Sequence, residues 1–250
     1  MSRYDFRTTR LYIDSPLHEG ADVALDASQA NYLGNVLRLK TGDSVLVFNG
    51  HDGEWQAALA SVGKRSLALA VGSRTRPQTA AGDLHYLFAP LKHARLDYMA
   101  QKAVEMGASR LQPVITRHAQ AARVNIERMR ANAIEAAEQC GILTLPEVEA
   151  PLTFERMIAE RDGARLMVFC DEDAEVQDPI AALSQARDAA RAGGIAVLVG
   201  PEGGFAADER TTLLKLPNTV RLALGPRILR ADTAAVAALA LVGAVLGDWR

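Results

Sequence analysis

Three short stretches near the carboxy-terminal end combine residue types that can hold a small ligand and stabilise charge. Cys170-Asp-Glu-Asp173 follows Leu166-Met-Val-Phe169, Gly200-Pro-Glu-Gly-Gly-Phe205 follows Ile195-Ala-Val-Leu-Val199, and Leu224-Gly-Pro-Arg-Ile-Leu-Arg230 follows Val220-Arg-Leu222. Each comes after an apolar run of strand type, and open α/β sheets bind ligands beyond the carboxyl ends of their strands. The glycines of the second stretch permit positive φ and close approach of a ligand to the backbone. A tight strand-to-helix turn without a ligand would use the same residues. This stretch matches neither the phosphate loop nor Gly-x-Gly-x-x-Gly, and it lies late in the chain, whereas the dinucleotide fingerprint follows the first strand. Nucleotide hydrolysis and Rossmann-type dehydrogenation are therefore disfavoured. The arginines of the third stretch suit a phosphate or a developing negative charge, or pairing with a carboxylate such as Glu202 or Asp232. Asp232 or Thr233 is placed to cap the helix that follows.

The elements that must position these stretches divide the chain in two. Short strands are expected at Leu11–Ile13, Val23–Leu25, Ser44–Phe48, Glu54–Ala60 and Ser66–Val71, with a helix capped by Asp26 and running through Val36. Lys40-Thr-Gly-Asp43 is a turn, and Asn49-Gly50 suits positive φ between two strands. Strands so spaced suggest a small barrel over residues 1–74. The polar stretch Ser73–Asp83 reads as an exposed linker, with 75–83 as its core. From Leu84 to the end, 84–250, strands at 84–88, 111–115, 165–169, 195–199 and 219–223, with a weaker one at 147–149, alternate with helices. The helices are expected at 94–106, 125–139, 153–161, 179–192, 207–215 and 231–247. That alternation argues a parallel sheet covered on both faces. The last helix is apolar almost all round, which requires burial in the core or against a second subunit.

Composition excludes several classes. The 250 residues are 49% hydrophobic and 23% charged, with a net charge of −2, which is ordinary for a soluble globular protein. The amino-terminal residues lack an apolar signal core, and Ala234–Leu246 falls short of a membrane span, so a cytoplasmic protein is expected. Cys140 and Cys170 read as reduced, partly buried thiols, and no His or Cys pair has metal-ligand spacing, so no metal is expected. Charge is uneven: residues 84–130 carry eight Lys/Arg against three Asp/Glu, and residues 131–250 carry eleven against eighteen. A polyanion would favour the basic segment, although a solvated helix face gives the same pattern.

Leu198-Val-Gly-Pro-Glu-Gly-Gly-Phe205 with Leu224-Gly-Pro-Arg-Ile-Leu-Arg-Ala-Asp-Thr-Ala234 resembles the RsmE family of 16S ribosomal RNA uracil-N3 methyltransferases, within the SPOUT (α/β-knot) superfamily. Asn35-Val-Leu-Arg-Leu-Lys-Thr-Gly-Asp43, Gln101-Lys-Ala-Val-Glu-Met-Gly107, Pro113, Thr116-Arg117 and Glu135-Ala-Ala-Glu-Gln139 extend the likeness along most of the chain. Asp232 stands where the family usually has Glu, Asn31 where it usually has His, and Cys140-Gly141 where an arginine or serine-arginine is common. The resemblance implies a PUA-like or OB-like β-barrel followed by an α/β trefoil-knot domain with a parallel sheet, acting as a homodimer through that second domain. It implies S-adenosyl-L-methionine as cofactor and small-subunit ribosomal RNA, free or in the 30S particle, as partner, with no membrane and no metal. A target on another RNA position, such as a ribose 2′-hydroxyl or a tRNA base, or a non-catalytic ribosome assembly factor, are the alternatives. Carried onto this chain, the cofactor residues are Cys170, Gly200, Pro201, Glu202, Gly203, Leu222, Leu224, Gly225, Ile228, Leu229 and Thr233. Arg230 would stabilise the uracil anion and Glu202 would act as base or orienting group. Arg10, Arg38, Lys40, Lys92, Arg95, Arg117 and Arg123 are the expected RNA contacts.

Overall fold

A computed structural model describes residues 5, 7–62, 66–92, 94–121, 123–175 and 178–249. The chain forms two compact units, residues 1–81 with 137–145, and residues 82–136 with 146–250.

The first unit is a five-stranded curled sheet. Strand β1 (Arg10–Tyr12) runs parallel to β3 (Ser44–Phe48); β3, β4 (Glu54–Val62) and β5 (Ser66–Arg76) form an antiparallel meander, and β2 (Asp22–Ala24) closes on β5. Alternate residues Val45 and Val47, Ala57 and Leu59, and Leu69 and Val71 point to one face and meet Leu11, Val23 and Leu33 in a shared core. Helix α1 (Ala27–Asn31) starts in a capping box: Asp26 accepts from the Gln29 amide at 2.8 Å and Gln29 returns to the Asp26 amide at 3.1 Å. The expected single helix through Val36 widens into a π turn, Tyr32–Val36, which brings Leu33 to full burial. It stops because Arg38 adopts φ 57°, the left-handed position usual for glycine, and lets the Leu39 amide reach Leu33 O at 2.9 Å.

The expected linker is shorter than its composition suggests. Ser73–Arg76 are the last residues of β5, because Thr75 and Arg76 both bond to Glu54 across the ladder. Polar composition here marks an exposed strand with one buried charge partner.

The second unit is a parallel sheet in the order β12-β10-β11-β6-β7-β8. Its strands are β6 (Leu84–Phe88), β7 (Arg110–Ile115), β8 (Glu147–Val148), β10 (Leu166–Cys170), β11 (Ile195–Val199) and β12 (Thr219–Leu222); a two-residue β9 (Leu152–Thr153), not anticipated from sequence, pairs with β7. The helices are α2 (Ala94–Glu105), α3 (Ile126–Cys140), α4 (Phe154–Glu160), α5 (Pro179–Gln185), α6 (Arg187–Gly193), α7 (Ala207–Leu214) and α8 (Ala231–Val245). The expected helix at 179–192 breaks at Ala186, so that α5 packs on α8 and β12 while α6 packs on β10. One sheet face, with Leu87, Met167, Phe169 and Leu198, is covered by Phe154 and Met157 of α4 and Leu213 of α7. Helix α8 buries Ala231, Ala234, Ala235, Ala238, Leu239, Val242, Gly243 and Val245, packing on α2, α5 and β11. Much of its apolar surface is thus covered within the chain.

Register fixes the site. Phe88 pairs with Val199, Val199 with Cys170, and Cys170 with Leu222, so four strand ends lie in one row. From the edge strand β12, the chain must return past the ends of β10 and β11 to place α8 against β11 and α2. That return segment is the third glycine-bearing stretch. No helix among the described residues is long and apolar enough to cross a membrane.

Candidate cofactor cleft

The three stretches converge on one cleft at this row of strand ends. It encloses about 840 Å3, including the space at its mouth, a size suited to a nucleoside-type ligand. Cys170, Gly200, Pro201, Glu202, Leu222, Leu224, Gly225, Ile228 and Leu229 line it, while Gly203 and Thr233 do not. Gly203 lies beneath the His118 ring instead, and Thr233 points outward from the first turn of α8. Neither Asp232 nor Thr233 caps that helix: Arg230 is the N-cap and makes no side-chain cap bond.

The cleft is built so that backbone and small side chains form its surface. A Cβ on Gly200 would stand 3.0 Å from the Phe205 ring, so the floor admits only glycine without displacing that ring. Gly225 holds φ 87°, at the bend of the return segment. Among the described residues, Leu224–Leu229 make no hydrogen bond to the rest of the chain, which leaves their amides and carbonyls for a ligand or water. The apolar side chains of Leu222, Leu224 and Ala234 line the cleft together with Glu172 and Glu202. This combination fits S-adenosyl-L-methionine: apolar surface and unspent backbone groups for the adenosine, and two carboxylates, Glu172 and Glu202, each shared with an arginine, near a cationic sulfonium and ammonium.

Asp171, within the acidic stretch but not singled out from sequence, ties the loops together. Its side chain is fully buried. Arg221 of β12 donates to it at 2.7 Å, Arg210 of α7 pairs with it at 3.0 Å, and its amide donates to Leu222 O at 3.1 Å. The chain after β10, the strand β12 and the helix that follows the glycine turn are therefore held by one carboxylate. Arg210 also pairs with Glu172 at 3.2 Å and with Asp173. Cys170 beside it is buried, and burial together with the Asp171 charge pushes its thiol up to about 12. It stays a neutral wall residue with no nucleophilic character. Cys140, expected to be partly buried, is exposed.

The remaining candidates separate. Glu202 lines the cleft and pairs with Arg95 at 2.6 Å, so it is engaged by a cation that was assigned to RNA. Arg230 is exposed, lies outside the cleft lining and has no ion pair among the described residues; Arg227, three residues earlier, is in the lining. Arg117 pairs with Asp208 at 2.6 Å on the surface, and its backbone amide donates to the buried Glu209. Arg38, Lys40, Lys92 and Arg123 are exposed. Arg10 must be withdrawn from the RNA contacts: it is buried, donating to Glu54 at 2.8 Å, and its partner lies 44 residues away. No cluster of His, Cys, Asp and Glu that could hold a metal occurs among the described residues.

A cleft of this kind, lined by glycine-bearing turns at the strand ends of a parallel sheet, fits a cofactor-dependent transferase. Family models agree: "RNA methyltransferase domain" matches residues 78–243 and "RNA methyltransferase PUA domain" matches residues 25–71. A Rickettsia conorii protein named ribosomal RNA small subunit methyltransferase E is 34% identical over 93% of this chain and 94% of its own length. A Synechocystis protein of the same name is 33% identical over 90% of this chain and 74% of its own. Among solved structures, a Legionella pneumophila methyltransferase in complex with bound SAM is 26% identical, with a TM-score of 0.78 over 95% of this chain and 98% of that one. The chain belongs to the ribosomal RNA small subunit methyltransferase E family.

Proposed function

We propose that this protein methylates N3 of a uridine in small-subunit ribosomal RNA, using S-adenosyl-L-methionine held in the cleft. The observation that carries the reading is the convergence of the strand ends Cys170, Val199 and Leu222 with a return segment whose backbone groups are unspent. Relatives over almost the whole chain bear the ribosomal name, and a structural relative holds SAM.

When bound, the cofactor supplies an electrophilic methyl group on a sulfonium. The backbone of Gly200, Leu224, Gly225, Ile228 and Leu229 would hold it, with Leu222 and Ala234 as apolar walls. Uracil N3 carries a proton in the neutral base, which must pass to water or to the Glu202 carboxylate before or during attack, and a nearby cation lowers the cost of the resulting anion. Arg230, exposed at the start of α8 directly after the cleft-lining segment, is assigned that role. Glu202 is an orienting group, held by Arg95 at the cleft rim. Arg38 and Lys40 of the first unit and Lys92, Arg95, Arg117 and Arg123 of the second meet RNA phosphates, Arg95 and Arg117 by exchanging their carboxylate partners. The protein works in the cytoplasm as a homodimer formed through the second unit.

The test incubates the protein with methyl-labelled cofactor and unmodified 30S particles and maps the product. The expected product is a single N3-methyluridine in 16S RNA. Arg230→Ala abolishes its formation while cofactor affinity stays within about twofold, since only the anion loses its partner. Methyl transfer to a ribose or to tRNA, or undiminished turnover in Arg230→Ala, contradicts the assignment.

A further inference from the structure

Residues 84–130 carry eight basic side chains, and the structure sorts them. Arg95, Lys102, Arg110, Arg117, Arg128 and Arg130 are each paired with a carboxylate. Lys92 and Arg123 have no ion pair among the described residues, and both line the same cavity. That cavity encloses about 800 Å3 including its mouth, between the chain leaving β6, the start of α2 and the start of α3. Its floor is apolar, from the buried Leu91, Ala100 and Met129. Its wall is rigid: Arg128 grips Asp97 at 2.9 and 2.6 Å, and Asn132 donates to the same carboxylate at 3.0 Å. The lining has three cations against one anion, so an empty cavity keeps two uncompensated positive charges beside an apolar surface.

The cavity is linked to the cleft by the chain between Lys92 and Arg95. Lys92 faces the cavity, while Arg95, whose amide donates to Lys92 O at 3.3 Å, reaches Glu202 on the cleft rim. The Ala89 amide donates to Val199 O at 3.0 Å, which fixes the start of this segment to the strand that feeds the cleft.

We propose that this cavity is a subsite for a nucleotide of single-stranded RNA flanking the one that enters the cleft. Lys92 and Arg123 take its phosphate and the Leu91–Met129 floor takes its sugar and base. Two unpaired cations over an apolar floor match the two halves of a nucleotide, and single-stranded RNA presents both at once. The subsite rests on the proposed RNA substrate and adds a second contact point for the strand.

The test measures binding of a fluorescent oligouridylate to the full-length protein over a range of KCl concentrations, and methyl transfer to 30S particles. Lys92→Gln/Arg123→Gln lowers the slope of log affinity against log salt by about 0.7, the loss of one phosphate contact on a single strand. It raises KM for the particle, with kcat and calorimetric cofactor affinity unchanged and an unchanged melting temperature. Arg130→Gln, which removes an exposed α3 cation outside the cavity, leaves the slope as it was. An unchanged slope in the double variant, or an equal change per charge in Arg130→Gln, overturns the subsite. If the wild type transfers no methyl group to ribosomal RNA, the proposed function falls, and the oligouridylate slopes still decide the subsite.

Discussion

Each unit buries one carboxylate between two arginines, and the two clusters differ in what surrounds them. In the first unit, Glu54 is 3% exposed and its partners Arg10 and Arg76 are 3% and 12% exposed. Burial works to raise the Glu54 carboxyl, yet hydrogen bonds from Arg76, Thr75 and Arg10 hold it below the usual range. All of these groups belong to strands β1, β4 and β5, and Arg76 also donates to Gly141 O at 3.0 Å. In the second unit, Asp171 is fully buried while Arg210 and Arg221 are 20% and 33% exposed, and Asp171 itself lines the cleft. The same chemistry locks a sheet in one place and sets the spacing of ligand-binding loops in the other.

The comparison breaks first at Glu54. Glu54→Ala leaves Arg10 and Arg76 without their shared anion, and removing one partner of a buried pair costs about 3–5 kcal/mol. Urea unfolding should show that loss in the first unit. A change under about 1 kcal/mol would mean that water or other groups already satisfy the arginines.

Acid sharpens the difference between the units. Burial, with the Arg165 and Arg110 charges, pushes the His85 imidazole of β6 down to about 4. An unfolded histidine takes its proton near pH 6.5, so the unfolded chain binds protons first as pH falls. The contribution is therefore complete above pH 6.5 and lost between pH 6.5 and 4. It amounts to about 2 kcal/mol once partial solvent exposure is allowed for. The carboxyls of Asp52 and Glu54 in the first unit lie below their usual range, so their contributions fade only at lower pH. Melting curves between pH 7 and pH 4 should show the second unit softening first, and His85→Gln should flatten that slope.

What the sequence made legible follows from how local each signal is. Strand 195–199 is a continuous apolar run and strand 84–88 is interrupted only by His85; both lie between turn residues, and the structure keeps those boundaries. Most residues expected at the cofactor line the cleft because they lie on three contiguous stretches after strands, where topology alone concentrates them. Arg10 was misread because its partner is distant in sequence, and a basic residue near a chain end looks like a surface charge until Glu54 is placed beside it. The pairings of Arg95 with Glu202 and Arg117 with Asp208 were hidden for the same reason. The break at Ala186 carries no glycine or proline signal, and packing of Leu183 selects it; the π turn at Tyr32–Val36 contains Gly34, but a single glycine does not announce a widened turn, which the burial of Leu33 selects.

Calorimetric titration of S-adenosyl-L-methionine into the wild type, Glu54→Gln and Asp171→Asn tests the central claim most directly, that three loops form the cofactor cleft around a base in which Asp171 ties the end of β10 to β12 and α7. Asp171→Asn keeps the side chain's shape and removes its charge from two arginines, a loss that corresponds to about tenfold or more in affinity. Glu54→Gln should bind as the wild type does. Equal affinity in folded Asp171→Asn and wild type, or no binding to the wild type, would contradict the account.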